Sequence, residues 1–117
     1  MTEPTFDREG YPTEETLERI RTWECPTIPD MIACMDFAGR AWSYPDYWKR
    51  EDDWLDPEDP PHIARPEVRY TFSTGGWSGN ESIVHEIERN MMVQMIGAWS
   101  WRRGGHYEYR FPKVEAA

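Results

Sequence analysis

Apolar and polar residues alternate from Val68 to Ser73, with Val68, Tyr70 and Phe72 interleaved by Arg69, Thr71 and Ser73. A period of two in β-formers predicts a half-buried strand. Thr74 to Gly79 break the pattern with three glycines, which permit a sharp turn at positive φ. Ser78 and Glu81 have the spacing of a capping box, and Asn80 is an alternative N-cap. Ile83, Val84, Ile87 and Met91 then share one helical face, so a helix is expected over about 80–90. From Met92 the period returns to two through Trp101, and it resumes from His106 to Phe111. Gly104-Gly105 between the two runs is a hairpin signal.

A Gly104-Gly105 turn sets Arg103 opposite His106, Trp101 opposite Glu108 and Trp99 opposite Arg110. A four-residue loop keeps the same faces, whereas a one-residue bulge exchanges the faces of one strand. One face then carries Ile96, Ala98, Tyr107, Tyr109 and Phe111 and suits packing on the helix. The other carries Trp99, Trp101, Arg103, His106, Glu108 and Arg110, joined by Arg69, Thr71 and Ser73. Tryptophan beside charge suits a planar polar ligand, because the ring supplies stacking while charges fix orientation. The competing expectation is that Trp99 and Trp101 pack under the amino-terminal helices or a second subunit.

If the strands on either side of the helix are parallel, the end of the first and the Arg102-Arg103-Gly104-Gly105 turn meet at one sheet edge. The loop Gly75, Gly76, Trp77, Ser78, Gly79 and Asn80 would then offer helix-start N–H groups beside arginine forks, an anion pocket. An antiparallel relation removes that clustering.

The segments F-S-T-G-G-W-S-G-N-E at 72–81 and R-R-G-G-H-Y at 102–107 resemble a family of short uncharacterised bacteriophage proteins. The resemblance covers about the last 45 residues. It implies a phage origin and residence in the cytoplasm of an infected bacterium, and it transfers no functional residues.

Upstream, residues 1–11 are polar and expected to be loose. Thr13 opens a helix with Glu14 and Glu15 in its first turn and Leu17 and Ile20 on an apolar stripe, and Cys25-Pro26 ends it. Asp30 is the expected cap of a second helix carrying Met31, Ile32, Met35, Ala38 and Trp42. Residues 45–66, rich in proline, aspartate and aromatics, read as an acidic loop. The whole of 1–117 forms one domain, with 67–112 as its core unit. The fold class is α+β: two amino-terminal helices, then strand, helix, strand and strand, with a small three-stranded sheet.

A net charge of -9 argues against a general nucleic-acid binder, whose affinity rests on neutralising phosphates. No membrane-spanning run appears, and Cys25 and Cys34 lack the histidine spacing of a zinc site. Seven tryptophans exceed what a core of this size usually takes, which places some at an interface or ligand site. Enzyme motifs are incomplete. Gly76-Trp77-Ser78-Gly79-Asn80 has Asn80 where a nucleophile elbow needs glycine, and His85-Glu86 lacks the second histidine of a zinc protease. His106 and Glu108 as an acid–base pair compete with a plain structural histidine. No catalytic residue, metal or cofactor is assigned.

Two functions follow as expectations. In the first, a non-enzymatic protein binds a nucleotide or nucleotide-derived immune signal. Trp77, Trp99 or Trp101 stack on the base, and Arg69, Arg103 and Arg110 with the Gly75–Asn80 loop hold phosphate. His106 and Glu108 read polar edges. In the second, the acidic segment blocks a basic host protein through Tyr47, Trp48, Glu51, Asp52, Asp53, Trp54 and Asp56. Open sheet edges also leave room for a homo-oligomer.

Overall fold

Four helices lie against one face of a four-stranded antiparallel sheet in the computed structural model, which describes residues 3–113. The class is α+β, as the periodicities predict. The strands are β1 (Trp48–Trp54), β2 (Glu67–Ser73), β3 (Ala98–Arg102) and β4 (His106–Pro112), in the order β1-β2-β4-β3. The helices are α1 (Glu14–Thr22), α2 (Ile28–Ala41), α3 (Ser78–Arg89) and α4 (Met91–Gly97).

The extra strand corrects the expectation of three. Residues 45–66 are not a loop throughout: Pro45–Tyr47 makes a 3-10 turn, and β1 then pairs antiparallel with β2, from Trp48 opposite Phe72 to Trp54 opposite Glu67. Lys49-Arg50-Glu51-Asp52-Asp53 is charged on both faces, so the apolar alternation that betrays a strand is missing. Backbone pairing and the two half-buried terminal tryptophans hold it instead.

Residues 92–97 are a second correction, because they form α4 where the period of two predicts strand. Val93 and Gly97, four apart, are its buried positions. A Cβ on Gly97 would overlap the Phe111 ring, so the glycine lets α4 sit directly on β4. Buried Asn90 makes the break between α3 and α4. Its carboxamide donates to the carbonyls of Ile20 (2.8 Å) and Trp23 (3.1 Å) and accepts from the Val93 amide.

The helix starts are legible to different degrees. Thr13 caps α1 as expected, its hydroxyl accepting from the Thr16 amide. α2 is capped by Thr27 and not Asp30, since Pro29 occupies the first turn, where a missing N–H costs nothing. α3 begins on Trp77 with no side-chain cap, so neither Ser78 nor Asn80 is the N-cap. Of residues 1–11, the first two lie outside the described residues. The remainder is tied down: the Thr5 amide donates to Thr16 Oγ1 at 2.8 Å, and Asp7 Oδ1 accepts from the Glu9 and Tyr11 amides.

Val68, Tyr70 and Phe72 of β2 and Tyr109 and Phe111 of β4 turn inward onto Ile20, Met35, Phe37, Ile83 and Ile87. Tyr70 keeps its hydroxyl satisfied by donating to Asp36 at 2.7 Å. The opposite face has no helix over it. Among the described residues no helix is long and apolar enough to cross a membrane.

Candidate functional site

The uncovered face of the sheet is a lattice of charge and indole rings. Arg69 donates to Glu108 at 2.8 Å and to Glu51 at 2.9 Å, and Arg110 donates to Glu108 at 2.6 Å and to Asp56 at 2.7 Å. Trp54 lies under both guanidinium groups, 4.7 Å from Arg69 and 4.4 Å from Arg110. Trp99 covers Arg110 from the other side at 4.0 Å. Arg110 is therefore held between two indoles, and its side chain is only 9% exposed.

This packing sets the ionisation of the lattice. Burial acts to raise the Glu108 carboxyl, but the hydrogen bonds from Arg69 and Arg110 outweigh it and hold it below its ordinary value. Asp56 is held low by the Glu58 amide and by Arg110. Glu67, at the start of β2, is instead pushed up by burial. Arg69 and Arg110 are thus neutralised from within the chain. A phosphate would have to displace a carboxylate to reach either of them.

At the end of the sheet where β2 finishes, the face turns concave. β2 and β3 are each antiparallel to β4 and so run the same way, with β4 between them. The Gly-rich loop consequently meets the β3–β4 turn, and the Thr74 amide donates to the Gly105 carbonyl at 3.0 Å. Gly75 has φ 62° and leaves space that the Tyr47 ring fills. The resulting groove, about 600 Å³, is walled by Asp46, Tyr47 and Trp48, with Lys49, Thr71, Ser73 and His106 across its floor. Ser73 Oγ and His106 Nδ1 share a hydrogen bond of 2.8 Å. Arg102 lines an adjoining recess of about 190 Å³ with Ser73 and His106. Lys49 meets Glu51 only at 3.6 Å and is 63% exposed, while Arg102 and Arg103 have no ion-pair partner among the described residues.

A second cavity of about 610 Å³ opens at the other end of the same face, between Ile63, Pro66, Trp99 and Pro112. Its cations are occupied. Arg110 is in the lattice, Lys113 pairs with Asp53, and Arg65 is spent on the carbonyls of His62, Ile63 and Ala64.

The hairpin register decides which predicted ligand residues meet. Arg102, not Arg103, lies opposite His106, and Trp101 lies opposite Tyr107 and not Glu108. A three-residue turn shifts the register by one, which moves Trp101 to the helix-bearing face. The irregularity between Ala98 and Ser100 then returns Trp99 to the open face, over Arg110. Trp101 does not join Trp99, and Arg103 projects from the turn. The Gly75–Asn80 loop also divides. Gly75 and Gly76 border the groove side, but Trp77 stacks on Tyr11 at 4.5 Å and Ser78 Oγ contacts the Tyr11 hydroxyl at 3.4 Å. Gly79 is buried against Trp77 and Pro12. Asn80 clamps Ser43, accepting from its amide at 2.9 Å and donating to its carbonyl at 3.1 Å. The side chains of this helix start are engaged within the chain, Trp77 with Tyr11 and Asn80 with Ser43, and do not turn toward the arginines of the sheet face.

The acidic segment is equally committed. Glu51 pairs with Arg69, Asp52 with Arg50, Asp53 with Lys113 and Asp56 with Arg110. Trp48 is half-buried and stacks on Phe72 at 5.8 Å, and Trp54 lies beneath the arginines. Tyr47 alone of the expected anchors stands open, 45% exposed. Lys49 is the groove residue that sequence reasoning missed. Its signal was a charged run bracketed by Trp48 and Trp54, a pattern that suits a protected edge strand. Comparison with protein-family models, with curated proteins and with solved structures finds no match to this chain.

Proposed function

We propose that the protein binds a small, planar, anionic ligand of nucleotide type in the groove between Tyr47 and His106. The observation that carries this reading is the coincidence, in one concavity of about 600 Å³, of an aromatic wall, an incompletely paired cation and a hydroxyl–imidazole pair. Ligand pockets of this volume combine apolar walls with a few convergent polar groups. Tyr47 stacks on the base, Thr71, Ser73 and His106 meet the sugar hydroxyls, and Lys49 with Arg102 neutralises phosphate. Arg69 and Arg110 stiffen the floor through their carboxylates. In an infected bacterium, which the resemblance to phage proteins implies, such binding would sequester a nucleotide-derived host signal.

A thermal-shift panel of mononucleotides, cyclic dinucleotides and ADP-ribose derivatives tests the reading. A ligand at a hundredfold excess over its Kd stabilises the native state by about 2.7 kcal/mol. The expected result is a selective shift that Tyr47→Ala and Lys49→Ala abolish and Trp77→Phe leaves intact. Absence of any shift, or a shift that survives both groove substitutions, refutes it.

A further inference from the structure

From Asn90 to Tyr107 the chain carries no carboxylate, although the protein as a whole has a net charge of -9. The same stretch holds the largest exposed apolar side chains: Met91 (71%), Met92, Met95 (73%), Ile96, Trp99 (59%) and Trp101 (62%). α4 docks through Val93 and Gly97 and so turns its methionines and Ile96 outward. β3 follows without a break, lies at the sheet edge, and is exposed at all five positions. We propose that α4 and the β3 edge form the interface of a homodimer, packed on the same elements of a second copy about a twofold axis near Ser100.

Charge and area both favour a second copy over a chemically different partner. Antiparallel approach about Ser100 brings Arg102 of one copy beside Ala98 of the other, with Arg103 beyond it. Ala98 borders a recess lined by Glu88 and Gln94. Arg103 and Glu88 lack an ion pair within their own chain among the described residues, so the turn of one copy can supply charge that Glu88 of the other is missing. A strongly acidic chain repels itself over most of its surface. The α4–β3 segment itself contributes no carboxylate, so acidic groups reach this contact only from its margins, as Glu88 and as Glu108, which accepts from Ser100 Oγ at 3.1 Å. A tryptophan carries roughly 150–250 Å² of surface. Two indoles about three-fifths exposed, Trp99 on the open face and Trp101 on the helix-bearing face, together with four further apolar side chains offer on the order of 600 Å² along this edge, the upper end of what a monomer leaves open. A standard interface buries about 800 Å² per partner, a figure that the β3 backbone and the arginine rim bring within reach. Arg102 belongs to both readings, but Tyr47 and Lys49 lie outside the interface and Met95 and Trp101 outside the groove, so substitutions at these positions separate the two.

Light scattering after size exclusion, at micromolar concentration, should give twice the chain mass for the parent. Met95→Lys and Trp101→Lys, both at exposed positions, should give the chain mass with unchanged far-ultraviolet circular dichroism. Ser100→Cys should form a disulfide-linked dimer under mild oxidation, since Cys25 and Cys34 are buried and Ser100 lies at the axis. The control Ser82→Cys on α3 should not. A monomeric parent overturns the proposal, as does a dimer that survives both lysine substitutions or cross-linking as efficient at position 82 as at position 100.

Discussion

The two edges of the sheet are built from opposite materials. β1 presents Lys49, Arg50, Glu51, Asp52 and Asp53 in succession, and its register slips between Glu51 and Trp54, where Asp53 takes φ 57°. Charge and irregularity of this kind discourage a further strand. Those charges also bind inward: Arg50 to Asp36, Glu51 to Arg69 and Asp53 to Lys113. β3 has its own irregularity after Ala98, but its exposed residues are two tryptophans, a serine and an arginine without a partner in the chain. One edge uses electrostatics to close the fold, and the other spends Trp99 on Arg110 but leaves Trp101 and the α4 methionines exposed. The lesson is that the charges of Arg50, Glu51 and Asp53 mark finished structure, whereas the exposed Trp101 indole marks unfinished contact.

The sharpest way to break that contrast is at Arg110, which ties β4 to the segment following β1. Arg110→Ala takes the arginine from Asp56, leaves Glu108 with Arg69 alone and empties the space between Trp54 and Trp99. A loss of about 3 kcal/mol in urea denaturation is expected, as for a mostly buried pair that loses one partner. A change under 1 kcal/mol would mean that the lattice is ornament on a sheet stabilised elsewhere. On the other edge, Gly97→Ala should cost about 2 kcal/mol, because the added methyl meets the Phe111 ring and lifts α4 from β4.

Acid should separate the edges without mutation. Glu108 and Asp56 titrate below their ordinary range in the folded state, so they contribute stability above the unfolded carboxylate value near 4. That contribution is lost as pH falls through the lowered folded values. Glu67, shifted upward by burial, acts in the opposite sense and blunts the loss. Amide protection factors in β1 should therefore fall below about pH 4 before those of β3, which contains no carboxylate. Uniform loss across all four strands would remove the distinction. The smallest effect is expected at Asp52→Asn, where an exposed partner of Arg50 is neutralised while Asp36 remains. Stability should change by no more than about 0.5 kcal/mol.

The sequence by itself determined the α+β class, the first helix with its Thr13 cap, the strand at Val68–Ser73, the α3 face and the Gly104-Gly105 hairpin. Each rests on a local cause: a period of side chains, a cap or a glycine that takes positive φ. Only tertiary structure decided that Trp48–Glu51 pair with β2, since backbone partners leave no apolar signature in that charged segment. It also decided that 92–97 coil, because a helix buries Val93 and Gly97 on one side and seats Gly97 on Phe111, a requirement that competes with a short period-two run. The candidate site divides along the same line. Residue types pointed to an aromatic, charged sheet face, but a turn one residue longer sent Trp101 to the other side. Arg69 and Arg110 acquired carboxylate partners from 39 and 54 positions away. Local sequence sets what a residue can do, and the register and the distant neighbour set whether it is still free to do it.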